Sequence, residues 1–164
     1  MNHLQELTNF YNKIVEYLDK TINYPKWIYG VYPSETTIKE AIGKKYQYAY
    51  IENNKIIGAF VLNEEPGGNY ENAKIEFKRG EYLVIHTLAS DYNLYKKGIA
   101  TKMIKYCIDK AKNEGYKAVY VDVVPTNTPA RNLFGKNGFK YLGDFNLDRT
   151  FEDIPLFSIM ELKL

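Results

Sequence analysis

The chain predicts an α+β fold: one mixed, mostly antiparallel twisted sheet flanked by helices. Three observations predict it. Segments with apolar residues at helical spacing are interleaved with short β-rich apolar runs. Residues 82–89, 98–113 and 118–124 read as strand, helix, strand, and such a crossover makes its two strands parallel. The flanking runs are separated by turn residues and read as hairpins, which makes the sheet mixed.

Each element has a local reason. Leu4, Leu7, Tyr11, Ile14, Val15 and Leu18 recur at helical spacing, so residues 3–19 form a first helix. Residues 25–33 hold two prolines with Trp27, Tyr29 and Tyr32 and are irregular. Ser34 caps a second helix that ends at Gly43. Strands 46–52 and 55–62 are joined by Asn53-Asn54, a favourable hairpin turn. Residues 63–80 contain Pro66-Gly67-Gly68 and read as a mobile loop with a short element near 75–77. The central strand follows at 82–89. The helix over 98–113 buries Ile99, Met103, Ile104, Cys107, Ile108 and Ala111, and Gly115 stops it. A strand at 118–124, a helix at 129–137 ended by Gly138, and strands at 139–145 and 156–164 complete the sheet. Without repeats, low-complexity segments or a linker, residues 1–164 read as one domain.

Composition narrows the function. The length of 164 residues suits one domain with a proper core. A net charge of only +2 does not point to a nucleic-acid binder. No apolar run reaches transmembrane length and no basic-then-apolar leader opens the chain, so no membrane partner is expected and the protein reads as cytoplasmic. Cys107 is the one cysteine, which excludes an internal disulfide and a cysteine-rich metal site. It lies on an apolar helix face and reads as a buried small hydrophobe. His3, near the terminus, has no assigned role. No metal is expected, and a second copy of the chain stays open as a partner.

The most informative segment runs from Leu88 to Thr101. An apolar strand ends in a polar loop that passes through Lys96, Lys97 and Gly98 into an amphipathic helix. The first N–H groups of a helix lack intrahelical partners, and the helix dipole places partial positive charge there. A diphosphate is held readily at such an end. The hexapeptide Tyr95-Lys96-Lys97-Gly98-Ile99-Ala100 resembles the acyl-CoA motif Q/R-x-x-G-x-G/A of the GNAT (Gcn5-related N-acetyltransferase) superfamily, with Tyr95 in place of Gln or Arg. A second element follows about thirty residues on. Asn127, Ala130 and Leu133 precede Gly138-Phe139 in the register of the family's N-x-x-A-x-x-L-Y signature, with Phe134 at the usual tyrosine. The resemblance covers roughly residues 25–164.

It implies a sheet whose central parallel strands splay apart to admit acyl-CoA. Leu88 and Ala89 would then pair with the pantetheine arm through their backbone. Residues Tyr95, Lys96, Lys97, Gly98, Ile99, Ala100 and Thr101 would hold the pyrophosphate, and Asn127 would contact the arm. Asn132 and Lys136 lie one turn apart and either reach the phosphates or form a solvated helix face. The implied activity is acetyl transfer from acetyl-CoA to a primary amine, of a small molecule or a protein N-terminus or lysine, by direct attack in a ternary complex. The alternative is a CoA-binding regulatory or structural module without turnover, which Tyr95 and Phe134 favour.

Two residues read as candidates for the chemistry. His86 shares a face with Val84 and Leu88 by two-residue alternation and is either the general base or a satisfied core histidine. Asp122 lies among valines, where an unpaired charge is costly. It either binds the acceptor's amine or pairs with a basic side chain. Phe134 stands where the family often has a tyrosine that protonates the leaving thiolate, and a phenyl ring donates no proton. Neither G-x-x-x-x-G-K-S/T, G-x-G-x-x-G nor G-x-S-x-G occurs, so other phosphate-binding and hydrolase readings find no support.

Overall fold

In a computed structural model of the protein, residues 3–150 and 154–164 are described. Helix α1 (His3–Asp19) is followed by α2 (Glu35–Gly43), the hairpin β1 (Gln47–Glu52) and β2 (Lys55–Asn63), then β3 (Tyr82–Ser90), α3 (Ile99–Asn113), β4 (Ala118–Val123), α4 (Thr128–Lys136), β5 (Lys140–Phe145) and β6 (Phe157–Lys163). The six strands form one sheet in the order β1-β2-β3-β4-β6-β5. Strands β3 and β4 are parallel, and the pairs β1–β2, β4–β6 and β5–β6 are antiparallel. The mixed, mostly antiparallel α+β sheet expected from the sequence is therefore present.

Local chemistry explains the boundaries. Ser34 and Thr37 form a reciprocal capping box at the start of α2. Asn53 and Asn54 both adopt left-handed φ, 49° and 60°, as a tight hairpin turn requires. Gly115 ends α3 with φ 81°.

The chain divides into two compact units. The first holds residues 3–62 and 87–103. Its core joins Leu7, Tyr11 and Ile14 of α1 to Ile38 of α2, Ala59 of β2 and Ala89 of β3. The second holds 63–86, 104–150 and 154–164. Its core is built on Tyr82 and Val84 of β3, Ala118 and Tyr120 of β4, and Phe157 and Ile159 of β6.

The segment 63–80 departs from expectation. Its short element is a 3-10 helix at Tyr70–Ala73, not at 75–77, and it is anchored rather than loose. Tyr70 and Ala73 are buried in the second unit's core, and Ile75 and Phe77 pack against it. The Asn69 N–H donates to the Leu147 carbonyl at 2.7 Å, and the Asn69 and Asn72 side chains reach Asp148 at 3.0 Å. Pro66-Gly67-Gly68 breaks regular structure but does not set how the flanking aromatics pack.

A second departure is Thr87. It adopts a left-handed φ of 47° in the middle of β3. A left-handed residue does not hold the two-residue pleat, so the face shared by Val84 and His86 is not carried on to Leu88 by spacing.

Candidate functional site

In the first unit, β3 runs into a tight basic turn that leads into α3. Asp91 caps a 3-10 turn, Tyr92–Leu94, by accepting the Asn93 N–H at 2.9 Å. The Lys97 N–H returns to the Leu94 carbonyl at 3.1 Å. Lys96 and Gly98 take left-handed φ of 65° and 76°, which turns the chain sharply into α3. Glycine suits this backbone, and a Cβ there would meet no protein atom within 4 Å, so the turn is open on that side. The first helical bond is Lys102 N–H to the Gly98 carbonyl, 3.0 Å. The N–H groups of Ile99, Ala100 and Thr101 precede it and have no intrahelical acceptor. Lys96 and Lys97 are exposed, and the exposed Tyr95 ring lies 5.7 Å from the Lys96 Nζ.

Upstream, Leu88 is partly buried and Ala89 is in the core. The kink at Thr87 is pinned from α1: the buried Tyr11 hydroxyl donates to the Thr87 carbonyl at 2.9 Å. Burial pushes the Tyr11 phenol well above its usual range. Tyr11 as a partner of β3 has no signal in the sequence, because 76 residues separate the two.

In the second unit, the parallel ladder is Tyr82–Ala118, Leu83–Val119 and Val84–Tyr120, and it stops there. Ile85 and His86 continue β3 beyond it. Val121, Asp122 and Val123 continue β4, paired to β6 on the other side. The resemblance implies strands that part at their C-terminal ends, and the β3–β4 pairing runs no further than Val84 and Tyr120.

His86 Nε2 lies 3.0 Å from Asn63 Oδ1 and 2.9 Å from the Glu65 carbonyl. Burial lowers its pKa, the Asp122 charge works against that lowering, and Arg149 adds to it. The net effect favours the neutral imidazole. Both Asp122 oxygens are engaged: Oδ1 with Arg149 Nη1 at 2.5 Å and Oδ2 with the Tyr70 hydroxyl at 2.6 Å. A Cβ on Gly67 would collide with this carboxylate. Burial, and then the neighbouring Asp122 charge, raise the Tyr70 phenol far above its usual value, so it stays a donor. The Arg149 guanidinium also stacks on Phe157, 4.1 Å from the ring centre.

Asn63, Glu65, Tyr70 and Arg149 were not visible as site residues in the sequence. Asn63, Glu65 and Tyr70 reach His86 and Asp122 from the end of β2 and the loop after it, and Arg149 reaches Asp122 from the connection between β5 and β6. Asn127 caps α4: its Oδ1 accepts the Ala130 N–H at 3.2 Å, and the residue is buried. Asn132 and Lys136 are exposed on the same helix. Phe134 is buried at 3% exposure and packs edge-on against Phe139, 5.2 Å between centres. Cys107 is fully buried, and burial raises its thiol pKa, which leaves it inert as a nucleophile.

The model of the acetyltransferase (GNAT) family matches residues 10–139. The chain belongs to the GNAT acetyltransferase family. Membership implies acetyl transfer. Solved structures agree on the GNAT fold. An acetyltransferase of the GNAT family from Streptococcus agalactiae 2603 superposes with a TM-score of 0.77 at 16% identity, covering 99% of this chain and 91% of the other. A Staphylococcus aureus Mu50 protein, whose acetyltransferase assignment is itself provisional, gives 0.70 at 26% identity over 99% and 94%. A GNAT family acetyltransferase from Elizabethkingia anophelis, solved with acetyl-CoA bound, gives 0.58 at 24% identity over 81% and 85%. Among the described residues of this GNAT chain, no group of side chains is arranged to hold a metal, and no helix is long and apolar enough to cross a membrane.

Proposed function

We propose that this protein transfers an acetyl group from acetyl-CoA to a primary amine, of a small molecule, a protein N-terminus or a lysine, by direct attack in a ternary complex, with residues 1–164 acting as one catalytic domain. The observation that carries the reading is the turn at Lys96-Lys97-Gly98. It offers two exposed ammonium groups, an open glycine and the free N–H groups of Ile99, Ala100 and Thr101 at one helix end. That donor set matches a diphosphate in charge and hydrogen-bonding capacity. Tyr95 lines the same turn. Leu88 and Ala89 offer strand backbone to the pantetheine arm, and the Asn127 amide nitrogen meets the arm while its oxygen caps α4. Asn132 and Lys136 add polar reach toward phosphate.

When bound, acetyl-CoA supplies an activated acyl group and a thiolate leaving group. The protein's residues do the rest. His86, neutral and partly buried, takes the proton of the attacking amine. A backbone N–H of β3 stabilises charge developing on the carbonyl oxygen. Asp122, held by Tyr70 and Arg149, adds a fixed carboxylate for the acceptor's amine.

A second reading, a CoA-binding module without turnover, is favoured by Phe134, whose buried ring brings no hydroxyl to the leaving thiolate. Thiol release over a panel of amines separates the two. The enzyme reading expects release above background with at least one amine and a fall of about a hundredfold or more in His86→Gln, with CoA affinity nearly unchanged. Tight CoA binding without release across the panel supports the module.

A further inference from the structure

We propose, on the reading that His86 is the base, that the end of β2 and the loop after it decide which imidazole nitrogen reacts: Nδ1 takes the acceptor's proton, and Asn63 is a positioning residue that holds the other nitrogen's hydrogen in place. The geometry at Nε2 carries this. Two oxygens face it, the Glu65 carbonyl at 2.9 Å and Asn63 Oδ1 at 3.0 Å. A backbone carbonyl only accepts. The amide of Asn63 is oriented independently, because its Oδ1 also accepts the Glu65 N–H at 2.9 Å, and an amide nitrogen in that place would set donor against donor.

Nε2 thus faces two acceptors and must carry the hydrogen. The opposite tautomer would point its lone pair at two oxygens. When the ring becomes an imidazolium it keeps the Nε2 hydrogen and gains the new one at Nδ1, so every proton that His86 takes up or gives back passes through Nδ1. As the amine nitrogen bonds to the acyl carbon, one of its protons passes to Nδ1, and the electron pair of the broken thioester bond leaves on sulfur.

Three charged groups influence this imidazole: Asp122 on β4, Glu65 in the loop, and Arg149 between β5 and β6. Asp122 is matched by Arg149 at 2.5 Å. The contacts that orient the ring are therefore the Asn63 and Glu65 oxygens rather than a carboxylate.

The chain has two histidines, His3 and His86, so the His86 imidazole is assignable by 15N NMR of the whole protein with His86→Gln as reference. Above its titration, His86 should show a pyrrole-type Nε2 and a pyridine-type Nδ1. The reverse pattern, or a near-equal mixture, overturns the proposal. Asn63→Asp keeps the acceptor and adds negative charge beside the Nε2 hydrogen. It should raise the His86 midpoint by NMR and move the acid limb of the kcat/KM profile to higher pH by the same amount. Asn63→Leu should shift the tautomer ratio toward a mixture. An unmoved midpoint and ratio in both variants removes Asn63 as a positioning residue. A midpoint that moves while the kcat/KM limb stays removes His86 as the base and, with it, Nδ1 as the proton's destination. The spectrum thus distinguishes a wrong nitrogen from a wrong base.

Discussion

Single side chains in this protein are tuned mainly by burial. His86 has a folded-state pKa below its ordinary 6.5, and desolvation is the largest cause. The sign follows from linkage. Well above pH 6.5 the imidazole is neutral in both states and contributes no pH dependence. As pH falls through 6.5, the unfolded chain takes up the proton first, so stability declines toward the lower folded value. His86→Gln should therefore lose less stability than wild type between neutral pH and the acid side of 6.5, measured as the difference in urea midpoint. Equal losses in the two proteins would leave His86 out of the acid response. Phe134 gives a second test. Its ring is buried against Phe139, so Phe134→Tyr adds a hydroxyl where little solvent reaches. The expected cost is about 1–3 kcal/mol in denaturant unfolding. Unchanged stability with raised turnover would instead put the para position beside the reacting sulfur.

The loop between β2 and β3 is the element on which the second unit's polar cluster depends. Its backbone carries the Glu65 carbonyl to His86, its Tyr70 donates to Asp122, and Gly67 lies against the Asp122 carboxylate. Gly67→Ala should displace a carboxylate already held by Tyr70 and Arg149, at a cost of about 1–3 kcal/mol, as for other overpacked sites. Gly43→Ala is the control. It lies in the last turn of α2, and an added methyl there meets nothing within 4 Å. It should leave stability unchanged or slightly raised. Equal effects in the two variants would mean that the loop does not bear on Asp122.

For the whole molecule, the proposed cosubstrate is a stability ligand. A ligand that binds only the folded state at a hundredfold excess over its Kd contributes about 2.7 kcal/mol. For a chain of this length that corresponds to a rise in Tm of about 5–10 °C. Acetyl-CoA should produce such a shift by differential scanning fluorimetry. Gly98→Asp should abolish it, because a negative side chain would stand on a left-handed turn at the helix end proposed to hold phosphate. A variant that keeps the full shift would show that the Lys96-Lys97-Gly98 turn does not hold the ligand.

Much of this was legible in the residues alone. The helical spacing of α1, the cap at Ser34, the Asn53-Asn54 turn, the crossover from β3 through α3 to β4 and the basic turn before α3 are all local patterns. Each depends on neighbours a few residues apart, which is why the fold class and the family signatures could be read. The tertiary structure decided what those neighbours cannot encode. It placed β6 between β4 and β5, which sets Glu161 opposite Tyr120, whose hydroxyl bonds its carboxylate at 2.5 Å in the interior. It brought Tyr11 to Thr87, Asn63 and Glu65 to His86, and Tyr70 and Arg149 to Asp122. These contacts join residues 21 to 76 positions apart. Strand order and register select such partners, and no spacing along the chain announces them.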